Sequence, residues 1–111
     1  MDYDLTLKTN KTLDGSVKKE LENFHFSQVD DMEIIRLSID NAASTLDELI
    51  LKFIYDINSA ATNLPMGSIL DVAIYFDSKM ANLNISLNDK TIKKLSNMSM
   101  AINLCCYPCS D

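Results

Sequence analysis

The sequence predicts a single α+β domain over residues 1–111, with helices packed on one face of a mostly antiparallel sheet of four or five strands. Three observations support this prediction. Several short segments alternate apolar and polar residues, as half-buried strands do, and one longer segment repeats apolar residues at helical spacing. The strand segments are not the unbroken apolar runs of a parallel sheet that is buried on both faces. The predicted order of elements is β-α-β-α-β-α-β.

The first third of the chain predicts two strands and a short helix. Strict alternation at residues 3–8 is typical of a strand, and Ser16 is a suitable N-cap for a helix over residues 17–24. A strand is the alternative for that second segment. Residues 27–31 are polar and predict a loop. Residues 33–39 predict the next strand, whose core face carries Ile35, Leu37 and Ile39.

The clearest element is an amphipathic helix that begins near residue 46. Ser44 and Asp47 have the spacing of a capping box, with Asp in place of the usual Glu. Residues 63–65, Asn-Leu-Pro, are predicted to stop the helix. The apolar residues between these signals recur at i, i+3, i+4 and i+7 and form one continuous face: Leu46, Leu49, Ile50, Phe53, Ile54 and Ile57.

The last part of the chain predicts two strands around a helix. Residues 69–76 alternate as a strand, and residues 83–87 predict a short edge strand or an extended linker. Asn88 or Ser86 caps a helix over Asp89–Asn97. The closing strand covers residues 98–107 and ends at a proline. The side chains predicted to face the core from these elements are Leu70, Val72, Ile74, Phe76, Ile92, Leu95, Met100, Ile102, Leu104 and Cys106.

The chain is acidic, with 16 Asp and Glu against 10 Lys and Arg and a net charge of −6. A single arginine provides poorly for phosphate or base recognition, so neither a nucleic acid nor an anionic membrane surface is a predicted partner. No apolar run approaches the roughly 18 residues of a membrane span, and the acidic N-terminus lacks the basic region of a signal peptide. These features predict a cytoplasmic protein. They favour a basic protein partner, although many cytosolic proteins carry such a charge only for solubility.

The sequence has few residues or motifs suited to catalysis, which predicts a protein that is not an enzyme and has no cofactor. Two glycines cannot build a phosphate-binding loop, and the single histidine, His25, is predicted to be structural. Cys106 and Cys109 have a CxxC spacing, but no helix follows to lower a thiol pKa. Cys105 and Cys106 point to opposite sides of a strand, so the three cysteines are predicted to be inert and not to bind a metal.

A helix-free sheet face would present tyrosines among acids and amides, which is the composition of a recognition surface. An ordinary solvated sheet face has the same composition. The residues predicted to bind a partner are Asp30, Asp31, Glu33, Tyr55, Asp71, Tyr75, Asp77 and Tyr107.

The final unit, residues 84–107, reads NISLNDKTIKKLSNMSMAINLCCY. It resembles the closing helix and strand of a widespread family of small bacterial α+β proteins. Such proteins recur as immunity proteins beside polymorphic and contact-dependent growth inhibition toxins. The resemblance implies an antitoxin that binds one cognate toxin domain, often a cationic nuclease, and it assigns no role to individual residues. The alternative is a small-molecule-binding or regulatory module without catalysis. The predicted oligomeric state is a monomer or a weak dimer.

Overall fold

The computed structural model describes residues 1–10, 13, 15–60, 67–80 and 82–109. Within this part, strands and helices alternate along most of the chain. They are β1 (Asp2–Thr9), α1 (Gly15–Glu20), β2 (His25–Val29), β3 (Met32–Ile39), α2 (Leu46–Ala60), β4 (Ile69–Asp77), α3 (Asp89–Asn97) and β5 (Ala101–Cys109).

The five strands form one mixed sheet in the order β2-β3-β1-β4-β5. β1 lies in the centre and runs antiparallel to both β3 and β4, while β2 pairs antiparallel with β3. Only β5 is parallel to its neighbour, β4. The prediction of a mostly antiparallel sheet in an α+β fold is therefore confirmed. The predicted order of elements was wrong in one respect, since it lacked β2.

The missing strand lies where a loop was predicted over residues 27–31. β2 continues to Val29, and the chain returns into β3 through Asp30 and Asp31, whose φ angles are 50° and 66°. Two consecutive positive φ values are the signature of a type I′ hairpin turn, and Asp tolerates this conformation better than most residues. The helix predicted over residues 17–24 is shorter, because α1 ends at Glu20 and the next residues turn toward β2.

The apolar face predicted for α2 is confirmed, but its N-terminus differs by one residue. Thr45, rather than Ser44, caps the helix, and its Oγ1 accepts a hydrogen bond from the Glu48 backbone N–H at 3.3 Å. The Asp47 side chain takes part in contacts with the start of α3 instead of in a capping box. Its Oδ1 accepts hydrogen bonds from the backbone N–H of Asn88 (2.9 Å) and from the Thr91 hydroxyl (2.7 Å). The predicted stop at residues 63–65 lies outside the described residues.

The hydrogen bond to Asp47 changes which side of α3 is buried. Thr91 is buried with its hydroxyl satisfied, whereas Ile92, which was predicted to face the core, is 51% exposed. Asn88 caps the helix as predicted, since its side chain accepts from the Thr91 backbone N–H. In the segment before it, residues 83–87, the predicted edge strand is absent.

β5 begins later than predicted and continues past Pro108. The Ala101 N–H donates to the Ser68 carbonyl, and the Ser78 N–H donates to the Cys109 carbonyl. The backbone groups of alternate residues point to opposite sides of a strand, so the odd-numbered residues of β5 bond to β4. Pro108 occupies an outward position that needs no N–H, which is the place where an edge strand accepts proline.

The core is formed by one face of the sheet together with buried side chains of α2 and α3. On the strands the buried residues are Leu5, Leu7, Ile35, Leu70, Val72 and Ile74, and on the helices they include Ile50, Phe53, Ile54, Ile57 and Leu95. Removing such a side chain from water contributes roughly 2 kcal/mol before entropy. Among the described residues, no helix combines the length and apolar character that crossing a membrane requires.

Candidate binding surface

We use the name polar face for the sheet surface opposite the core. The name covers Asp4, Thr6, Lys8, Arg36, Ser38, Asp71, Ala73, Tyr75, Asn103, Cys105 and Tyr107, and the register also places the apolar Ile34 and Ile69 on this side of the sheet. The strand register aligns these residues in rows across the sheet. One row contains Arg36, Thr6, Asp71 and Asn103, and the next contains Ser38, Asp4, Ala73 and Cys105.

Asp4 is the centre of a hydrogen-bond network on the polar face. Its carboxylate accepts from Arg36 Nη2 at 2.7 Å, from Ser38 Oγ at 2.6 Å and from Tyr75 Oη at 3.0 Å. Partial burial raises the pKa of Asp4, but the hydrogen bonds from Ser38, Arg36 and Tyr75 outweigh it and bring the pKa below its ordinary value of 3.8. Asp4 is therefore ionised at neutral pH, and its charge is used within the fold.

Asp71 is held in a similar way on the next strand. Lys8 Nζ lies 2.9 Å from one of its oxygens, and Asn103 Nδ2 donates to the other at 2.8 Å. Partial burial raises the pKa of Asp71, and the bonds from Lys8 and Asn103 lower it by more, so that the net direction is downward. Both carboxylate oxygens of Asp71, which was predicted to bind a partner, therefore already have partners within the fold.

Two tyrosines stack on the polar face at the end of β4 and β5. The rings of Tyr75 and Tyr107 are 5.5 Å apart between centroids and inclined by 25°. The Tyr75 hydroxyl donates to Asp4, which raises the pKa of Tyr75 above its ordinary value of 10.0. Tyr107 is 48% exposed. One ring is thus tied to the sheet by its hydroxyl, and the second lies on it and faces solvent.

The surface beside this tyrosine pair is shallow and carries both polar and apolar side chains. A depression next to Tyr107 is lined by four residues of the polar face and by three apolar residues from the other side of the same strands: Asp71, Ala73, Asn103, Cys105, Val72, Ile102 and Leu104. Asp77, at the end of β4, is exposed, and its Oδ1 accepts from the Lys79 backbone N–H at 2.9 Å. Three of the predicted residues, Tyr75, Asp77 and Tyr107, therefore lie at one end of the sheet, whereas Asp71 lies nearer its middle, opposite Thr6 of β1.

The other predicted residues lie elsewhere. Asp30 and Asp31 form the turn between β2 and β3, at the opposite end of the sheet and on the order of 35 Å from Asp77 by strand register. Tyr55 is on α2 and is 69% exposed. The predicted residues therefore do not form one continuous surface.

Glu33 is the clearest departure from its predicted place. It points to the core side of β3 and is 1% exposed. Lys18 Nζ lies 2.8 Å from its Oε1, in an ion pair rather than a well-directed hydrogen bond, and Gln28 Nε2 donates to its Oε2 at 2.9 Å. The structure separates Glu33 from Asp30 and Asp31 and removes it from the candidate surface.

The three cysteines of β5 are exposed and free, with Cys105 and Cys106 on opposite sides of the strand. Within the described ranges there is no group of three or more His, Cys, Asp or Glu side chains arranged to hold a metal ion.

No protein-family model, curated protein or solved structure matches this chain.

The residues that hold the Asp4 and Asp71 carboxylates on the polar face were not among those predicted to form the site. Arg36 and Ser38 fix Asp4, and Asn103 fixes Asp71, across strands that are 32 or more residues apart in the chain. Strand alternation places all three on the polar face. Their partners follow only from the strand register, which a single sequence does not reveal.

Proposed function

We propose that this chain is an immunity protein, a non-catalytic antitoxin that binds a basic toxin domain in the cytoplasm and blocks its working surface. The observation that carries the proposal is the stacked pair of Tyr75 and Tyr107, held by the Asp4 network on the polar face. We also propose that the helices cover only the core side of the sheet, which leaves the polar face free for the partner.

The tyrosine pair has the physical properties of a binding anchor. Aromatic side chains with a polar tip contribute strongly to protein interfaces because they bury a large area and lose few rotamers. The hydroxyl of Tyr75 is already bonded to Asp4, and its ring already stacks on Tyr107. Little further ordering is needed on binding, so most of the contact energy is available for affinity.

The net charge of −6 acts at longer range. Asp4 and Asp71 are neutralised locally by Arg36 and Lys8, and we assign the attraction beside the tyrosine pair to the exposed Asp77, two residues after Tyr75 on β4. Exposed acids accelerate the approach of a basic partner, and this effect weakens with salt. We therefore attribute the rate of association to charge and the lifetime of the complex to the tyrosines.

The experiment is capture of the protein encoded immediately upstream, combined with rescue of growth when that protein is expressed. Stable capture with rescue supports immunity. In the same assay Tyr107→Ala is expected to weaken the complex at least about tenfold, mainly by faster dissociation. Tyr55→Ala is the matched control, because it removes an exposed tyrosine from α2 and leaves the polar face unchanged.

A second variant tests the role of charge. Asp77→Asn removes one negative charge and keeps an oxygen that can accept the Lys79 N–H. It is expected to slow association and to reduce the salt dependence, with little change in dissociation. Absence of both capture and rescue contradicts the immunity function. Capture that is equally insensitive to Tyr107→Ala and Tyr55→Ala would show that the polar face is not the contact surface.

A further inference from the structure

The outer edge of β5 is open for hydrogen bonding. β5 is the last strand in the sheet order, and in the described part of the chain no other strand lies beyond it. Because the odd-numbered residues bond to β4, the N–H and C=O groups of Ile102, Leu104 and Cys106 point away from the sheet. Pro108 also faces outward but offers only its carbonyl.

This edge lacks the usual protection against strand pairing. Natural edge strands are commonly short, carry charged residues or are covered by other elements. β5 is nine residues long and exposed over almost its whole length, with Leu104 at 42% exposure. It lies within residues 95–110, the longest stretch of the chain without a charged side chain.

We propose that β5 pairs antiparallel with β5 of a second copy of this chain, about a two-fold axis at Leu104. In this register Leu104 lies opposite Leu104 of the second copy, and Ile102 lies opposite Cys106. Each outward N–H meets an outward carbonyl, which gives a ladder of about six backbone hydrogen bonds. Pro108, the one outward residue without an N–H, lies beyond the ladder.

Charge favours a second copy as the occupant of this edge. Two molecules of charge −6 repel each other over most of their surfaces, and an uncharged strand against an uncharged strand is the approach with the least repulsion. The contact is isologous and therefore closes at a dimer. It covers the exposed Leu104 on the core side of the sheet. The polar face stays open on both copies, so this inference is independent of the proposed function.

The test is the molar mass in solution, measured by size-exclusion chromatography with light scattering in reducing buffer at roughly 100 μM protein. We expect twice the chain mass of 12.5 kDa. Leu104→Lys places a charge at the two-fold axis, and Leu104→Pro removes an outward N–H without touching the bonds to β4. Each is expected to raise the dimer dissociation constant at least about tenfold.

Ile92→Lys is the matched control, because it adds the same charge at an exposed apolar position on α3. It is expected to leave the dimer intact. A wild-type protein that is monomeric under these conditions overturns the proposal. So does a dimer that survives both Leu104 variants, or one that Ile92→Lys dissociates equally.

A cysteine pair tests the strand register. Residue 103 lies opposite residue 105 of the second copy in a non-hydrogen-bonded pair, where the Cα atoms are about 4.5 Å apart and a disulfide is possible. Asn103→Cys, made together with Cys106→Ser and Cys109→Ser, is expected to give a covalent dimer on mild oxidation. The control is the same protein with Asn103 retained. It is expected to form no covalent dimer on the same oxidation. A dimer that fails to cross-link in the first protein overturns the register.

Discussion

The two edge strands of the sheet, β2 and β5, differ in length, in charge and in how they are attached to the rest of the fold. β2 has five residues, returns directly into β3 through Asp30 and Asp31, and is tied on the core side by Gln28 to the buried Glu33. β5 has nine residues, carries no charge and pairs in parallel with β4 alone. One edge is short and bounded by charge, and the other is long and open.

This difference shows how a small sheet can restrict pairing to one side. The acidic turn next to β2 and the ion pair of Lys18 with Glu33 place charges beside that edge. Adding a strand there brings it close to these charges, as in the usual protection of edges. Nothing comparable is found along β5 among the described residues. We therefore expect changes at the outward positions of β5 to affect association, and changes around β2 to affect the stability of the monomer.

The largest expected effect is a loss of stability when proline replaces a residue of β5 whose N–H bonds to β4. It tests the alternation of backbone groups along this strand. Cys105→Pro removes an N–H that bonds to β4 and is expected to lower the free energy of unfolding by about 3 kcal/mol. Cys106→Pro removes an outward N–H and is expected to cost less than about 1 kcal/mol. The measurement is urea unfolding at low protein concentration. Equal losses at these adjacent exposed cysteines would show that the alternation is wrong.

An intermediate effect is expected at the β2 edge. Lys18→Met leaves the buried Glu33 carboxylate without its ion partner and is expected to lower the free energy of unfolding by about 1–3 kcal/mol. Lys19→Met, at the next and exposed position of α1, is the control and is expected to be nearly neutral. Adding Glu33→Gln to Lys18→Met removes the unpaired charge and is expected to recover part of the loss. Similar losses for Lys18→Met and Lys19→Met would contradict the ion pair.

The elements predicted well from sequence are those whose burial follows a simple period. The apolar face of α2 recurs at helical spacing, and β1 and β4 alternate, so both the elements and their core residues were predictable. β2 has no such signal, because four of its five residues are exposed and its turn contains neither glycine nor asparagine. A strand held mainly by backbone pairing leaves little trace in the order of side chains.

The remaining differences depend on contacts between residues that are distant in the chain. Thr91 is buried in place of Ile92 because Asp47, 44 residues earlier, accepts its hydroxyl. Leu104 and Cys106 fit the alternation of a core-facing strand, yet both are exposed, since alternation cannot say whether a neighbouring element covers an edge. The tyrosine pair was predicted as two separate residues, and its assembly depends on the register of β4 with β5.

The smallest expected effect concerns the side-chain link between β5 and the rest of the sheet. Asn103 of β5 donates to Asp71 of β4, and with Lys8 it keeps the pKa of Asp71 below 3.8 even though partial burial raises it. A carboxyl group whose folded pKa is depressed stabilises the fold above its unfolded pKa, and this contribution is lost as the pH falls through the folded value. The link is therefore intact at neutral pH and weakens only below about pH 4.

An NMR titration of the Asp71 carboxyl measures this link directly. Asn103→Ala is expected to raise the pKa of Asp71 toward 3.8, because one of the hydrogen bonds that favour the ionised form is lost. Asn97→Ala, at the exposed end of α3, is the control and is expected to leave the titration unchanged. If Asp71 titrates identically in all three proteins, Asn103 does not hold the Asp71 carboxylate, and the side-chain attachment of β5 to β4 rests on the stack of Tyr75 with Tyr107. The contrast with β2, which the Gln28 hydrogen bond ties to the buried Glu33 of β3, would then be sharper than the structure shows.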